Sequence, residues 1–147
     1  MAYASDRVYL DADSHLMERP EFIRDFAEQS IRARLAPLDA GIEQDKNGGD
    51  WHQIVAKPSH SESHVANMLA MGDSLIAGPK GYMALGAFNR EERTQALDLL
   101  GFNRQLVFAT FSPLQALQGN DLTLKYGAAA AHNRAMADFC ATDERLL

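Results

Sequence analysis

Three hydrophobic patterns run along the chain, and each predicts its own kind of element. The first is Val8-Tyr9-Leu10, which passes directly into Asp11-Ala12-Asp13-Ser14-His15. Its strand-forming residues predict an extended segment over 8–13. The second is 105–110 (Q-L-V-F-A-T), nearly continuous in apolar residues and ended by Ser112-Pro113. A run of that length and character predicts a strand buried on both faces, as in a parallel sheet. The third pattern is helical. Phe22, Ile23 and Phe26 form a stripe behind Pro20, predicting a helix to about Gln29, and 31–35 suits a second short piece. Ser59 and Glu62 have capping-box spacing ahead of Val65, Met68 and Leu69, with Gly72 as the stop. Asn89 and Glu92 repeat the device ahead of Ala96, Leu97 and Leu100, and Gly101 closes that helix. Leu124, Ala128, Ala131, Ala135 and Phe139 recur three or four apart and predict a long helix over about 122–141.

Strands separated and followed by helices imply an α/β protein with a helix-covered parallel sheet. Two strands do not complete such a sheet, and 143–147 falls where a turn after the long helix would feed another. The expectation is therefore that 1–147 is the N-terminal portion of one domain. Between the strands, 38–78 lacks sustained periodicity and contains the turn signal Asn47-Gly48-Gly49-Asp50. A plain βα connection takes about 2–6 residues. An excursion this long, carrying Trp51 and Ile54-Val55 as anchors, is expected to act as a lid or as part of a homodimer contact.

Charge narrows the partners. The chain has a net charge of -6, and the imbalance is confined to its first half: residues 1–73 hold 13 acids and 7 bases, residues 74–147 hold 7 of each. With no basic stripe, neither nucleic acid nor an anionic membrane is an expected partner. A single cysteine, Cys140, excludes an intrachain disulfide and a C-x-x-C site, and its apolar neighbours predict a buried, inert thiol. The N-terminus lacks the basic flank and apolar stretch of a signal peptide, so the cytoplasm is the expected location.

Asp11, Asp13 and His15 fall at every second position, which on a regular strand aims all three at one face. A carboxylate and an imidazole two residues apart are the donor types that zinc takes, at about 2.0–2.2 Å. Asp13 and His15 are thus the candidate metal ligands, with Asp11 as a hydrogen-bonding support or weak catalytic candidate. His60 and His64 have ligand spacing on a helix, but the acid of an H-E-x-x-H site is missing, and Ser59, Ser61 and Ser63 suggest a solvated face. Gly78-Pro79-Lys80-Gly81 is a turn cluster and lacks the G-K-[ST] of a phosphate loop.

The opening D-A-D-S-H-L-M-E-R-P-E-F, with the later A-L-D-L-L-G-F-N-R-Q-L-V-F-A-T-F-S and A-A-A-A-H-N-R-A-M-A-D-F-C, resembles the N-terminal part of the amidohydrolase-related proteins. This is the branch of the metal-dependent hydrolase superfamily that includes aminocarboxymuconate-semialdehyde decarboxylase. The resemblance covers 8–25 and 79–147 and fades over 38–78. It implies a partial TIM (β/α)8 barrel: the first two βα units, interrupted by a long helical insertion. It implies a divalent metal, usually zinc, with Asp13 and His15 as the first two ligands and a further His and Asp from later strands. Glu18 matches a frequent acid of the family and is a weak catalytic candidate. The implied activity is hydrolysis or decarboxylation of a small organic acid; the alternative is a truncated, non-catalytic α/β domain acting by association.

Overall fold

The computed structural model describes residues 3, 8–38, 51–117 and 119–147; the side chains of Trp51, His52 and Leu117 lie outside this description. The chain is mixed α/β. Strand β1 (Leu10–Leu16) and strand β2 (Arg104–Ala109) pair in parallel. The helices are α1 (Gln29–Arg32), α2 (Trp51–Val55), α3 (Glu62–Ala70), α4 (Arg90–Leu100), α5 (Ser112–Leu117) and α6 (Leu122–Cys140). The far edge of β2 is also engaged. Gln105 N–H donates to the Arg145 carbonyl (2.8 Å), Leu147 N–H to Gln105 (2.9 Å) and Val107 N–H to Leu147 (2.8 Å), with a parallel bridge between Gln105 and Leu146.

One face of the sheet is covered by α4 and α6. Leu16 and Val107 pack there with Leu97, Phe139 and Leu146, all buried. A second cluster joins Ile23 and Ile31 to Ala116, Ala128 and Ala131, so the alanines of α6 serve as a flat seat for the chain leaving β1. That seat explains a departure from the helix expected up to Gln29. Ile23 and Phe22 are drawn onto α6, the backbone makes only a short 3-10 turn at Arg24–Phe26, and Ala27 is extended. Arg134, on α6, closes the same corner by donating to the Phe26 carbonyl from Nε and from its terminal nitrogen (2.9 and 2.7 Å).

Helices α4 and α6 begin and end where the sequence indicates. Asn89 accepts from Glu92 N–H and Gly101 closes α4 in the left-handed region; Asp121 accepts from Leu124 N–H at the start of α6. The cap of α3 is Ser61 and not Ser59: Ser61 Oγ accepts from His64 N–H (3.2 Å). Residue 59 is displaced from that role because His60, its neighbour, is committed to the interior. Of the 38–78 excursion, 39–50 lie outside the described residues. Its described part folds down on the chain itself, with Val55 buried against Tyr82, Ala87 and Phe88, and Arg19 Nε donating to the Val55 carbonyl (3.1 Å).

Gly86 is required where it stands. Its φ is +72°, and a Cβ there would lie 2.4 Å from Arg93 Cα. Gly86→Ala is expected to destabilise by about 3 kcal/mol, combining left-handed strain with overpacking against α4. Urea denaturation, read as a lowered midpoint at unchanged slope, checks it.

Candidate functional site

The strand that carries the predicted ligands is not regular, and the irregularity sorts them. In register, Leu10 faces Arg104 and Asp11 faces Gln105, but then Ser14 faces Val107 and His15 faces Phe108. Three residues of β1 span what two residues of β2 span, so an extra residue bulges between Asp11 and Ser14. A bulge reverses alternation for everything beyond it. Asp11 therefore shares the helix-covered face with Ser14, Leu16, Gln105 and Val107, while Asp13 and His15 share the opposite face with Phe108. The expectation that Asp11, Asp13 and His15 line one face is corrected accordingly.

On the open face, His15 Nε2 stands 3.6 Å from Asp13 Oδ1. The Asp13 side chain is 96% exposed and that of His15 48%. Phe108 lies against the imidazole, ring centroids 5.8 Å apart, and Thr110 Oγ1 sits 3.4 Å from His15 Nδ1. An oxygen and a nitrogen donor thus converge in open space at the C-terminal end of β1, which suits two ligands of a divalent ion. No third His, Cys, Asp or Glu joins them among the described residues.

Asp11 works from behind. Its Oδ1 accepts from Asp13 N–H (3.0 Å) and its Oδ2 from Gln105 Nε2 (3.0 Å), so it holds the bulge and hence the aim of Asp13. The same layer contains a buried arginine that hydrophobic patterning does not reveal. Arg93 donates to Ser14 Oγ (2.5 Å), to the His15 carbonyl (2.7 Å) and to the Gly86 carbonyl (2.8 Å), with the Phe139 ring beneath its guanidinium. Burial pushes its pKa down to about 10, against the opposing pull of Asp11 and Cys140, so it remains a cation near neutral pH. Arg93 thus ties α4 to the Ser14 side chain and to the His15 backbone carbonyl. The one signal for it in the sequence is an arginine at an interior position of α4, close to Ala96 and Leu97.

Glu18 is 1% exposed and fully engaged. One carboxylate oxygen accepts from Phe111 N–H (2.8 Å) and Ser112 N–H (2.7 Å), the other from Thr110 N–H (3.1 Å). It ties the exit of β1 to the exit of β2, accepting three backbone N–H groups of 110–112. Its role in this geometry is to hold the floor of the site. Tyr82 adds to the tie, its hydroxyl donating to the Glu18 carbonyl (2.9 Å), and burial beside Glu18 keeps that phenol protonated.

His60 and His64 are not the solvated pair their serine-rich flanks suggest. His60 is buried, with Nδ1 2.6 Å from Glu92 Oε2 and Nε2 2.7 Å from the Tyr82 carbonyl. His64 stacks on it at 4.4 Å and bonds the next carbonyl, Met83 (2.9 Å). With Glu92 ionised, both partners of the His60 ring are acceptors and both ring nitrogens donate, an arrangement that raises the His60 pKa and lowers that of Glu92. The capping box expected at Asn89 and Glu92 is consequently half right: Glu92 N–H is capped, but its carboxylate serves His60. Cys140 is partly buried, and burial raises its thiol pKa against the opposing Arg93 charge, which leaves it a poor nucleophile.

No family model matches the chain, and no curated protein matches it. Among the described residues, no helix is long and apolar enough to cross a membrane.

Proposed function

We propose that the chain supplies the opening βα units of a barrel enzyme of the amidohydrolase-related type, acting on a small organic acid through one divalent metal, most simply zinc. The observation that carries this is the meeting of Asp13 Oδ1 and His15 Nε2 at 3.6 Å on the open face where β1 ends. Catalytic groups of βα barrels gather at that end of the strands. The sheet order adds support: β2 lies beside β1, and residues 145–147 lie beside β2, each reached through helices. Stepwise order in one direction suits a closing barrel, whereas doubly wound open sheets reverse direction.

In this reading Asp13 and His15 hold the metal, and the family pattern draws two further ligands from later strands. When bound, the metal would lower the pKa of a water or polarise the substrate's carboxylate or carbonyl. Asp11 and Arg93 keep the two ligands aimed, and Glu18 holds the two strand exits together. The described part of the 38–78 insertion stands beside the exit of β1 through the Arg19–Val55 contact, a position from which it would cover the site or meet a second subunit.

The full-length protein is expected to carry near-stoichiometric metal by elemental analysis and to lose turnover on chelation. His15→Ala and Asp13→Asn are each expected to lower metal affinity by more than about 100-fold, beyond the 10–100-fold typical of groups that only support a ligand. Full affinity in either variant would overturn the reading, and release of carbon dioxide would separate decarboxylation from hydrolysis. One observation favours the alternative of a non-catalytic associating domain: Leu10, Leu106 and Phe108 are 66%, 43% and 42% exposed near the same strands. A metal-free protein that self-associates through this face would support it.

A further inference from the structure

The 58–64 segment of the insertion is fastened to the 82–92 segment by polar contacts, and most of them come from one residue. His60 N–H donates to Glu92 Oε1 (2.8 Å), Nδ1 lies 2.6 Å from Glu92 Oε2, and Nε2 lies 2.7 Å from the Tyr82 carbonyl oxygen. His64 Nε2 adds a bond to the Met83 carbonyl (2.9 Å), and Asn89 Nδ2 donates to the Pro58 carbonyl (3.2 Å). No residue of 58–64 belongs to any of the four hydrophobic clusters of the described residues, so apolar burial does not hold this segment down. Each of the two ring contacts of His60 needs a proton between its atoms. An imidazolium beside a carboxylate supplies both. A neutral imidazole beside the same carboxylate brings one N–H to two acceptors, and one contact is then lone pair against lone pair. The side chains of His60 and Glu92 are 3% and 5% exposed, so the failed contact is shut off from water and costly to keep.

We propose that the His60–Glu92 pair is a proton-operated clasp: it holds 58–64 on the 82–92 segment while both ring contacts carry a proton, and losing one proton releases the segment while the sheet and α6 stay folded. The groups around the ring do not take over the missing contact. From α3 the His64 ring stacks on it (4.4 Å) and keeps its own bond to Met83 in either charge state, since one N–H suffices. From 81–88 come the Phe88 ring (4.7 Å) and Tyr82, whose hydroxyl is committed to the Glu18 carbonyl. Lys57, past the end of α2, lines the same cavity as His60 and His64, and as a cation it has no acceptor site to offer the ring. The closed pair binds its proton more tightly than the released one. The clasp is therefore complete below pH 6.5 and loosens as pH rises toward the raised value of the closed state. Release uncovers the Tyr82 and Phe88 side of the Val55 cluster, which stands beside the exit of β1 through Met17.

Amide hydrogen exchange on the full-length protein tests this, read as protection factors from about pH 6 to pH 9 so that the intrinsic pH dependence of exchange is removed. The reporters are the amides of His60, His64 and Val65, bonded to Glu92 Oε1, Ser61 Oγ and the Ser61 carbonyl. They are expected to be less protected than the amides of α6 throughout. Their protection is expected to fall by up to about tenfold per pH unit above pH 6.5, the slope of one linked proton. Glu92→Gln supplies the contrast. Glutamine accepts from His60 N–H and donates to Nδ1, while Nε2–H still reaches Tyr82, so a neutral ring satisfies every contact. In that variant the 60–65 protection is expected to persist as pH rises and to weaken on acidification, the reverse of the wild type. Reporter protection that stays flat in the wild type would overturn the proposal. So would protection equal to that of α6 at every pH, because release would then be part of global unfolding. Glu92→Gln losing protection with rising pH as the wild type does would overturn it as well. Should that variant not fold, the wild-type profile decides by the same two criteria.

Discussion

Glu18→Gln is expected to lower the unfolding free energy by about 3 kcal/mol or more, and Glu18→Ala by at least as much. The carboxylate is buried and accepts three backbone N–H groups, from Thr110, Phe111 and Ser112. Hydrogen bonds to a buried charge contribute about 1.5–3 kcal/mol each, and donors stranded without an acceptor cost a further desolvation penalty. Glutamine keeps the shape but presents one oxygen and an NH2, so at least one backbone N–H faces another donor. Alanine removes all three acceptors at once. Because the same carboxylate spans the two strand exits, the loss is expected to reach His15 through Thr110. Chemical denaturation measures the energy, and an effect below about 1 kcal/mol would mean that water replaces the carboxylate and that Glu18 is not the tie described here.

The second large effect is expected at the buried His60–Glu92 pair, and its sign depends on pH. Burial acts to depress the His60 pKa, but the hydrogen bond and charge of Glu92 and the Tyr82 carbonyl outweigh it, so the group titrates above its ordinary 6.5. For Glu92, burial acts upward and is outweighed by the bonds from His60, leaving it below its ordinary 4.5. The folded state thus binds the His60 proton more tightly than the unfolded chain does. The stabilisation from His60 is complete below pH 6.5 and is lost as pH rises through the raised folded value. That from Glu92 is present above pH 4.5 and is lost as pH falls through the lowered one. The pair therefore stabilises most between these two values. The groups packed against it are the stacked His64 ring, the Phe88 ring and the Tyr82 backbone carbonyl, and among the described residues no further carboxylate or guanidinium pairs with it.

His60→Gln is expected to cost about 3–5 kcal/mol near pH 6, because it leaves the Glu92 charge buried without its partner. The double variant His60→Gln/Glu92→Gln should recover part of that loss. It should also abolish the decline in stability expected of the wild type as pH rises above 6.5. A wild-type urea midpoint that stays flat over that range would show that His60 is neutral when folded. The proton shared with Glu92 would then sit on the carboxyl group, and the pair would be neutral.

The elements that local chemistry specifies are legible in the sequence. Helices α4 and α6 follow from period and caps, since Asn89, Gly101 and the small residues of α6 act within a few positions of themselves. Strand β2 follows from composition, though its expected burial on both faces does not: Gln105 and Val107 are buried while Leu106 and Phe108 are exposed; its parallel neighbour follows from the helices that separate the two strands. Asp13 and His15 are legible as a pair because i and i+2 share a face on any extended segment, and the structure keeps them on one. Strict alternation puts Asp11 on the wrong face for a definite reason. A bulge is a property of two strands in register, and β1 by itself carries no mark of the extra residue that β2 forces upon it. The same holds for Glu18, His60, Glu92 and Arg93. Each is polar, so its own chemistry points to the surface, to a cap or to catalysis, yet each is buried with partners from 32 to 94 positions away. Hydrophobic periodicity ranks residues by their own solubility, so it cannot register a charge whose burial is compensated by a distant acceptor. What the sequence determined was therefore the set of elements and the donor pair at the end of β1. Which carboxylates face the open site and which are consumed in holding it was decided only when β2, α4 and the 81–88 segment closed around β1.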